Sequence, residues 1–204
     1  LSEKSAKGYA RVKGLTRSML QQLSQLLAQD TATQQRYIEL GITAEKTQVL
    51  GNIKFDITAP QSFVEHAANL KQAWQLAGRK IMILASTHAP EEKEILSALK
   101  SALDSNPKLL CIVVPRHPER FDEVFQAAQS LNLITQRRSL AQNIEADTQV
   151  YLADSMGEMW LWYALSQACY VGGSLNEPGG GHNILEPIAL NVPTVLGKNY
   201  FNFQ

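Results

Sequence analysis

"KIMILASTHAPEEKEILSALKSALDSNPKLLCIVVP" occupies residues 80–115, and its pattern decides the fold. Two apolar runs, "KIMILAS" (80–86) and "LLCIVVP" (109–115), flank a segment (90–103) that opens on Pro90 and three acids, Glu91, Glu92 and Glu94. Runs that are continuously apolar, not alternating, predict strands covered on both faces, as in a parallel sheet. Proline at the start and carboxylates in the first turn suit the positive end of a helix. The stretch therefore reads as strand, helix, parallel strand.

The same alternation extends in both directions. Further strands are expected at "LLAQ" (26–29), "TQVLG" (47–51), "NLITQR" (132–137), "QVYLAD" (149–154), "ACYVGG" (168–173) and "PTVLG" (193–197). Helical segments are expected at 62–77, where Phe63, Ala67, Leu70, Trp74 and Ala77 fall near one face, and at 119–130 and 156–167. The pattern predicts an α/β fold with a Rossmann-like, doubly wound parallel sheet. "GNIKFDITAPQ" (51–61) has mixed polarity and a proline, and reads as a boundary. Residues 1–50 are expected to end one α/β domain, 51–60 to link, and 61–204 to form most of a nucleotide-binding second domain. On this reading the chain is a piece of a longer protein.

Composition narrows the function classes. The 204 residues carry 19 basic and 19 acidic side chains, and this balance argues against a nucleic-acid partner, which calls for a basic excess. No apolar run approaches the ~20 residues of a membrane span. Cys111 and Cys169 lie in separate apolar runs and read as small core residues, with no CxxC for zinc or redox work. Near the start, Lys4, Lys7, Arg11, Lys13 and Arg17 stand against Glu3 alone. Two readings of that stretch stay open: a solvated helix face, or a surface resting near anionic headgroups.

In open α/β sheets ligands collect at the carboxyl ends of strands, and four loops there are unusual. In "ASTHAPEE" (85–92), Ser86 and Thr87 could cap the next helix or meet an anion with it. In "VPRHPER" (114–120), prolines fix the backbone around Arg116 and His117, and a guanidinium there suits a phosphate or carboxylate. In "ADSMGEMWLWYA" (153–164), Gly157 allows close approach and Met159 can lie against a base, whereas Trp160 and Trp162 read as core. The fourth, "VGGSLNEPGGGHNILEPIALNVPTVLG" (171–197), holds Gly172, Gly173, Gly179, Gly180 and Gly181 in its loop, an Asn183 where a helix N-cap would fall, and Glu186 in the first turn. A carboxylate so placed suits a ribose diol. Four such loops together favour a nucleotide site. His66, His88, His117 and His182 lack metal-ligand spacing and read as solvated or capping residues. No GxGxxG, P-loop, G-x-S-x-G or H-E-x-x-H motif is present.

"GNIKFD", "ASTHAPEE", "VPRHPERF", "DSMGEM" and the 171–197 stretch, in that order and spacing, resemble the 3-deoxy-D-manno-octulosonic acid (Kdo) transferases of lipid A biosynthesis. "LSEKSAKGYARVKGLTR" and "LLAQDTATQQRYIELG" fit the same family, so the resemblance covers essentially the whole chain. It implies a GT-B glycosyltransferase: two Rossmann-like domains, CMP-Kdo as donor, lipid IVA as acceptor, and inversion by direct displacement without a metal ion or other cofactor. It also implies the cytoplasmic face of the Gram-negative inner membrane. Carried over, Arg116, His117, Gly157, Glu158, Met159, Asn183, Ile184, Leu185 and Glu186 would contact CMP, with Glu186 on the ribose and Ser86 and Thr87 near phosphate. Lys54 would stabilise charge on the leaving group. The family's general base is a glutamate outside this chain, so the chain alone is expected to bind CMP and transfer nothing. The alternatives are a GT-B transferase using a UDP-sugar and a non-catalytic nucleotide-binding module.

Overall fold

The computed structural model describes residues 1–52 and 56–201. They form two compact units, Leu1–Asp56 and Ile57–Gln204. The first holds helices α1 (Glu3–Ala10), α2 (Lys13–Gln21) and α3 (Thr31–Glu39) and strands β1 (Leu26–Ala28) and β2 (Thr47–Val49). β1 and β2 pair in parallel with α3 between them, a single βαβ turn. Asp30 starts α3 by accepting the Thr33 amide at 2.6 Å. Leu26, Ala28 and Ile42 form a small core against Leu20, Tyr37 and Ile38.

The second unit carries one parallel six-stranded sheet in the order β5-β6-β4-β3-β7-β8. Its strands are β3 (Lys80–Thr87), β4 (Leu109–Pro115), β5 (Thr135–Arg137), β6 (Val150–Leu152), β7 (Ala168–Val171) and β8 (Thr194–Leu196). The helices are α4 (Gln61–Ala73), α5 (Glu91–Ser105), α6 (Phe121–Ser130), α7 (Met159–Leu165) and α8 (Leu185–Ala189).

Residue alternation within β3 and β4 explains their unbroken apolar runs. Ile81, Ile83, Ala85, Leu110, Ile112 and Val114 enter a core with Ala67 of α4 and Leu161 and Trp162 of α7. Leu84, Cys111 and Val113 enter a second core with Leu96 and Leu103 of α5 and Val124 and Ala128 of α6. Each strand thus has two apolar faces because each face has its own helix layer. Both cysteines are free and buried, and burial pushes each thiol up to about 12. The chain leaves β3 through α5 toward β4 on one side and later returns through α7 to β7 on the other. The reversal sets a topological switch point at the carboxyl ends of β3 and β7, the place where ligands of such sheets bind.

At the opposite end, Arg79 ties the strand starts together. It donates to the carbonyls of Lys108, Leu109, Glu145 and Ala146 at 3.0–3.3 Å, and to that of Thr148. Helix α4 ends at Ala73, short of the expected residue 77. Gln75 at φ 52° and Gly78 at φ 83° turn the chain toward β3.

Candidate functional site

The loops at the switch point are built around a carboxylate that the sequence assigned only to helix-dipole compensation. Glu91, the first residue of α5, is fully buried. Its Oε1 accepts the Tyr170 hydroxyl at 2.6 Å and the amides of Ser174 and Leu175 at 3.1 Å each. Its Oε2 accepts the amides of Gly173 at 2.9 Å and His88 at 3.0 Å. Burial alone would push this carboxyl up; the hydrogen bonds from Tyr170, Gly173, His88 and Leu175 outweigh it and hold Glu91 below the ordinary range.

The glycine-rich loop therefore spends much of its bare backbone internally. Gly172 passes so close to the turn after β3 that a side-chain carbon would lie 2.5 Å from the Ser86 carbonyl oxygen. Gly181 and His182 donate their amides back to the carbonyls of Gly173 and Gly172, at 2.9 and 3.2 Å, and Gly180 donates to that of Asn199 at 2.9 Å. Beyond this self-satisfied portion, the amides of Asn183 and Ile184 make no hydrogen bond among the described residues.

Three expectations need correction. Ser86 and Thr87 do not cap α5: β3 runs through Thr87, whose hydroxyl is buried without a partner among the described residues, and Ser86 adopts φ 53°. The cap position is Pro90, and the reciprocal pairing of His88 N with Glu91 Oε2 and of Glu91 N with His88 O closes the turn. Nor is Asn183 the N-cap of α8. Ile184 holds that position, and Asn183 reaches forward to accept the Leu185 amide at 3.0 Å. Three of the four histidines, read from spacing as solvated or capping residues, converge. His88 and His182 stack with Nε2 atoms 2.6 Å apart, and His117 meets His88 edge-on at 5.0 Å between centroids. Burial first, then neighbouring positive groups (His117 for His88, His88 and Arg116 for His182), lowers both ring affinities for a proton. Among the described residues no group of three or more His, Cys, Asp or Glu could hold a metal ion.

The remaining residues separate by how far their hydrogen-bonding capacity is used. Glu158 is engaged: it accepts Arg138 at 2.9 Å and the Ser155 hydroxyl. Those contacts offset burial and keep its carboxyl below the usual range. Asp154 is likewise held by Arg137 and Ser139. Gly157 turns the backbone at φ 79° with open space where a side chain would point, and Met159 starts α7 against the core. Trp162 is core, as its run suggested. Glu186 differs from every other carboxylate here. It is half-buried and accepts only Asn183 Nδ2, at 3.1 Å, among the described residues, and burial raises its carboxyl above the ordinary value. Arg116 is exposed, and its guanidinium makes no hydrogen bond or ion pair among the described residues, while its amide is fixed to Thr87 O at 3.0 Å. His117 contacts Glu119 at 3.5 Å. Lys54 lies outside the described residues.

The comparisons with known proteins fall on this frame. Residues 1–57 match the family model described as 3-deoxy-D-manno-octulosonic-acid transferase (kdotransferase). Among solved structures, the chain is similar to the C-terminal CMP-Kdo binding domain of WaaA from Acinetobacter baumannii. That domain is 69% identical, covers 71% of this chain and 75% of its own, and superposes with a TM-score of 0.70. The chain belongs to the Kdo transferase family. Kdo transferases of Haemophilus influenzae and Bordetella pertussis are 40% and 34% identical over 100% and 92% of the chain. The chain spans about half the length of these curated relatives, 47% and 44%. Among the described residues of this family member, the strand-end loops carry one satisfied anion, Glu91, an acid with a single donor, Glu186, a guanidinium without a partner, Arg116, and two open amides. Such a set is built to receive something that both donates and accepts hydrogen bonds.

Proposed function

We propose that the complete protein is a GT-B glycosyltransferase that moves Kdo from CMP-Kdo to lipid IVA with inversion, and that this chain supplies the nucleotide side. The observation that carries the reading is the distribution of unused capacity at the switch point. Arg116 offers a planar pair of donors to a phosphate, and the Asn183 and Ile184 amides add neutral ones. Glu186, under-supplied with donors, is matched by the two hydroxyls of a ribose. His117, Gly157, Met159 and Leu185 complete the nucleotide contacts in this reading. Glu158 contributes through its backbone, because its carboxylate is already paired. Ser86 and Thr87 are retained as phosphate neighbours only through their position beside Gly172. The Acinetobacter domain, named for CMP-Kdo binding, supports the choice of cytidine and of Kdo.

On this reading Lys54 stabilises charge on the departing CMP, and the chain alone binds CMP and transfers no sugar. Placement at the cytoplasmic face of the inner membrane is part of the same proposal. In the first unit, exposed Tyr9, Val12, Leu15 and Met19 stand among the basic residues of α1 and α2, a surface suited to anionic headgroups. Among the described residues no helix is long and apolar enough to cross a bilayer.

Titration of the chain with CMP and with UMP tests the proposal. CMP should bind more tightly, and Arg116→Ala should weaken it by about tenfold or more, the worth of a charge-assisted contact. Preference for UMP would point to a UDP-sugar donor. Absence of binding by either nucleotide would remove the site.

A further inference from the structure

We infer that Glu91 is a positioning residue for the nucleotide site, its carboxylate acting as an internal anion around which the glycine-rich loop takes its ligand-receiving shape. The inference rests on the reading of the switch point as a nucleotide site. The side chain itself is sealed from any ligand, since Glu91 is fully buried and all its contacts are within the protein. Its effect must travel through the groups that it holds.

That route can be followed bond by bond. Three consecutive amides, Gly173, Ser174 and Leu175, point at one carboxylate. A backbone that aims successive N–H groups at a point forms an anion-binding concavity, and here the anion is covalently part of the chain. With the amides so fixed, the carbonyls of Gly172 and Gly173 face the returning half of the loop and accept His182 N and Gly181 N. His182 is then set against His88, whose own amide is held by the same carboxylate. Asn183, Ile184 and Glu186 follow directly in the chain. Removing the carboxylate would leave five donors without their acceptor and free both halves of the loop to reorganise. A neutral amide in its place would turn one of the two positions into a donor facing donors.

Glu92 provides an internal comparison. It is adjacent, equally buried, and paired bidentately with Arg120 at 2.8 and 3.1 Å, but makes no hydrogen bond to the loop among the described residues. Glu91→Gln and Glu92→Gln should therefore both lower thermal stability, and only the first should act on the site. We expect Glu91→Gln to raise the Kd for CMP by at least about tenfold, the cost of one broken hydrogen bond to a charged group. Its amides at 173–175 should exchange with solvent faster while those of β3 and β4 keep their protection. Glu92→Gln should bind CMP as the unmodified chain does.

Amide exchange resolved by residue, together with CMP titration of the 204-residue chain and both variants, decides the matter. Equal weakening of CMP binding in the two variants, or normal binding in Glu91→Gln, would overturn the inference. If the unmodified chain binds no CMP, the nucleotide reading falls by itself. Faster exchange confined to 173–175 would then still support the loop anchor, and uniform exchange would overturn it.

Discussion

Replacing Gly172 by alanine should be among the most damaging single-atom additions in the second unit. Its amide donates to Ala85 O at 2.8 Å, so β7 is still locked to β3 where the loop begins. A methyl carbon there would lie 2.5 Å from Ser86 O, 2.6 Å from Thr87 Cα and 2.7 Å from Glu91 Oε2. Carbon in ordinary contact keeps about 3.5 Å or more. Two of the three obstacles are backbone atoms at the end of a central strand, and the third is the carboxylate held by five donors, so no obstacle can swing away. Overpacking a site that cannot relax costs about 1–3 kcal/mol, and loosening charged hydrogen bonds adds about 1.5–3 kcal/mol for each one lost. A loss of about 3–4 kcal/mol is expected, which in a chain of this size lowers Tm by roughly 10 °C. Gly157→Ala supplies the control. Its φ of 79° makes alanine strained, but nothing lies within 4 Å of the added carbon, so the cost should stop at about 1 kcal/mol. Thermal melts of both variants in one buffer make the comparison. A Gly172→Ala melt no lower than that of Gly157→Ala would refute the reasoning, because the crowding around Glu91 would then be able to relax.

Acidification offers a second test. The proton affinities of His88 and His182 are lowered in the folded chain, so the unfolded chain takes up protons first as pH drops. Their stabilising contribution is present above the ordinary histidine value and is lost as pH falls through the folded-state values. Melts should therefore fall between about pH 7 and 5, and a His88→Gln/His182→Gln pair should flatten that slope. Glu186 shifts the other way: its raised carboxyl should make CMP binding decline at higher pH than an ordinary glutamate would, and Glu186→Gln should remove that limb from titrations across pH 4–7. At the far end of the sheet, Arg79→Met takes a donor from five carbonyls, of which those of Lys108 and Glu145 keep the amides of Lys80 and Thr148, and should cost about 3 kcal/mol in chemical denaturation, leaving CMP affinity unchanged.

Much of this fold was legible because β3 from Ile81 to Ala85 and β4 throughout are unbroken apolar runs, which a doubly covered strand requires, and the parallel pairing follows. Strand order was not legible: nothing local to "QVYLAD" says that β6 inserts between β4 and β5. The site was legible as loops and not as contacts. Glycine and proline punctuation picked out the turns that carry Arg116, Gly157 and Glu186, because turn chemistry is local. The convergence of His88, His117 and His182 was hidden, since their sequence separations match no helical or strand period and only the switch point brings them together. The deepest ambiguity lies between Glu91 and Glu186. Each sits in the first turn of a helix that follows a strand-end loop, and each has a proline beside it. By sequence the two are equivalent, and either could have been the ribose acid or the dipole-compensating one. Donor count separates them: five hydrogen bonds hold Glu91 ionised inside the protein, while Glu186 has one and is pushed toward its neutral form. A carboxylate already saturated cannot recognise a sugar, and one left short can be completed only from outside. The same residue type at the same helix position is therefore scaffold in one loop and, in the proposed reading, a recognition group in the next, and the count of donors facing it is what separates the two.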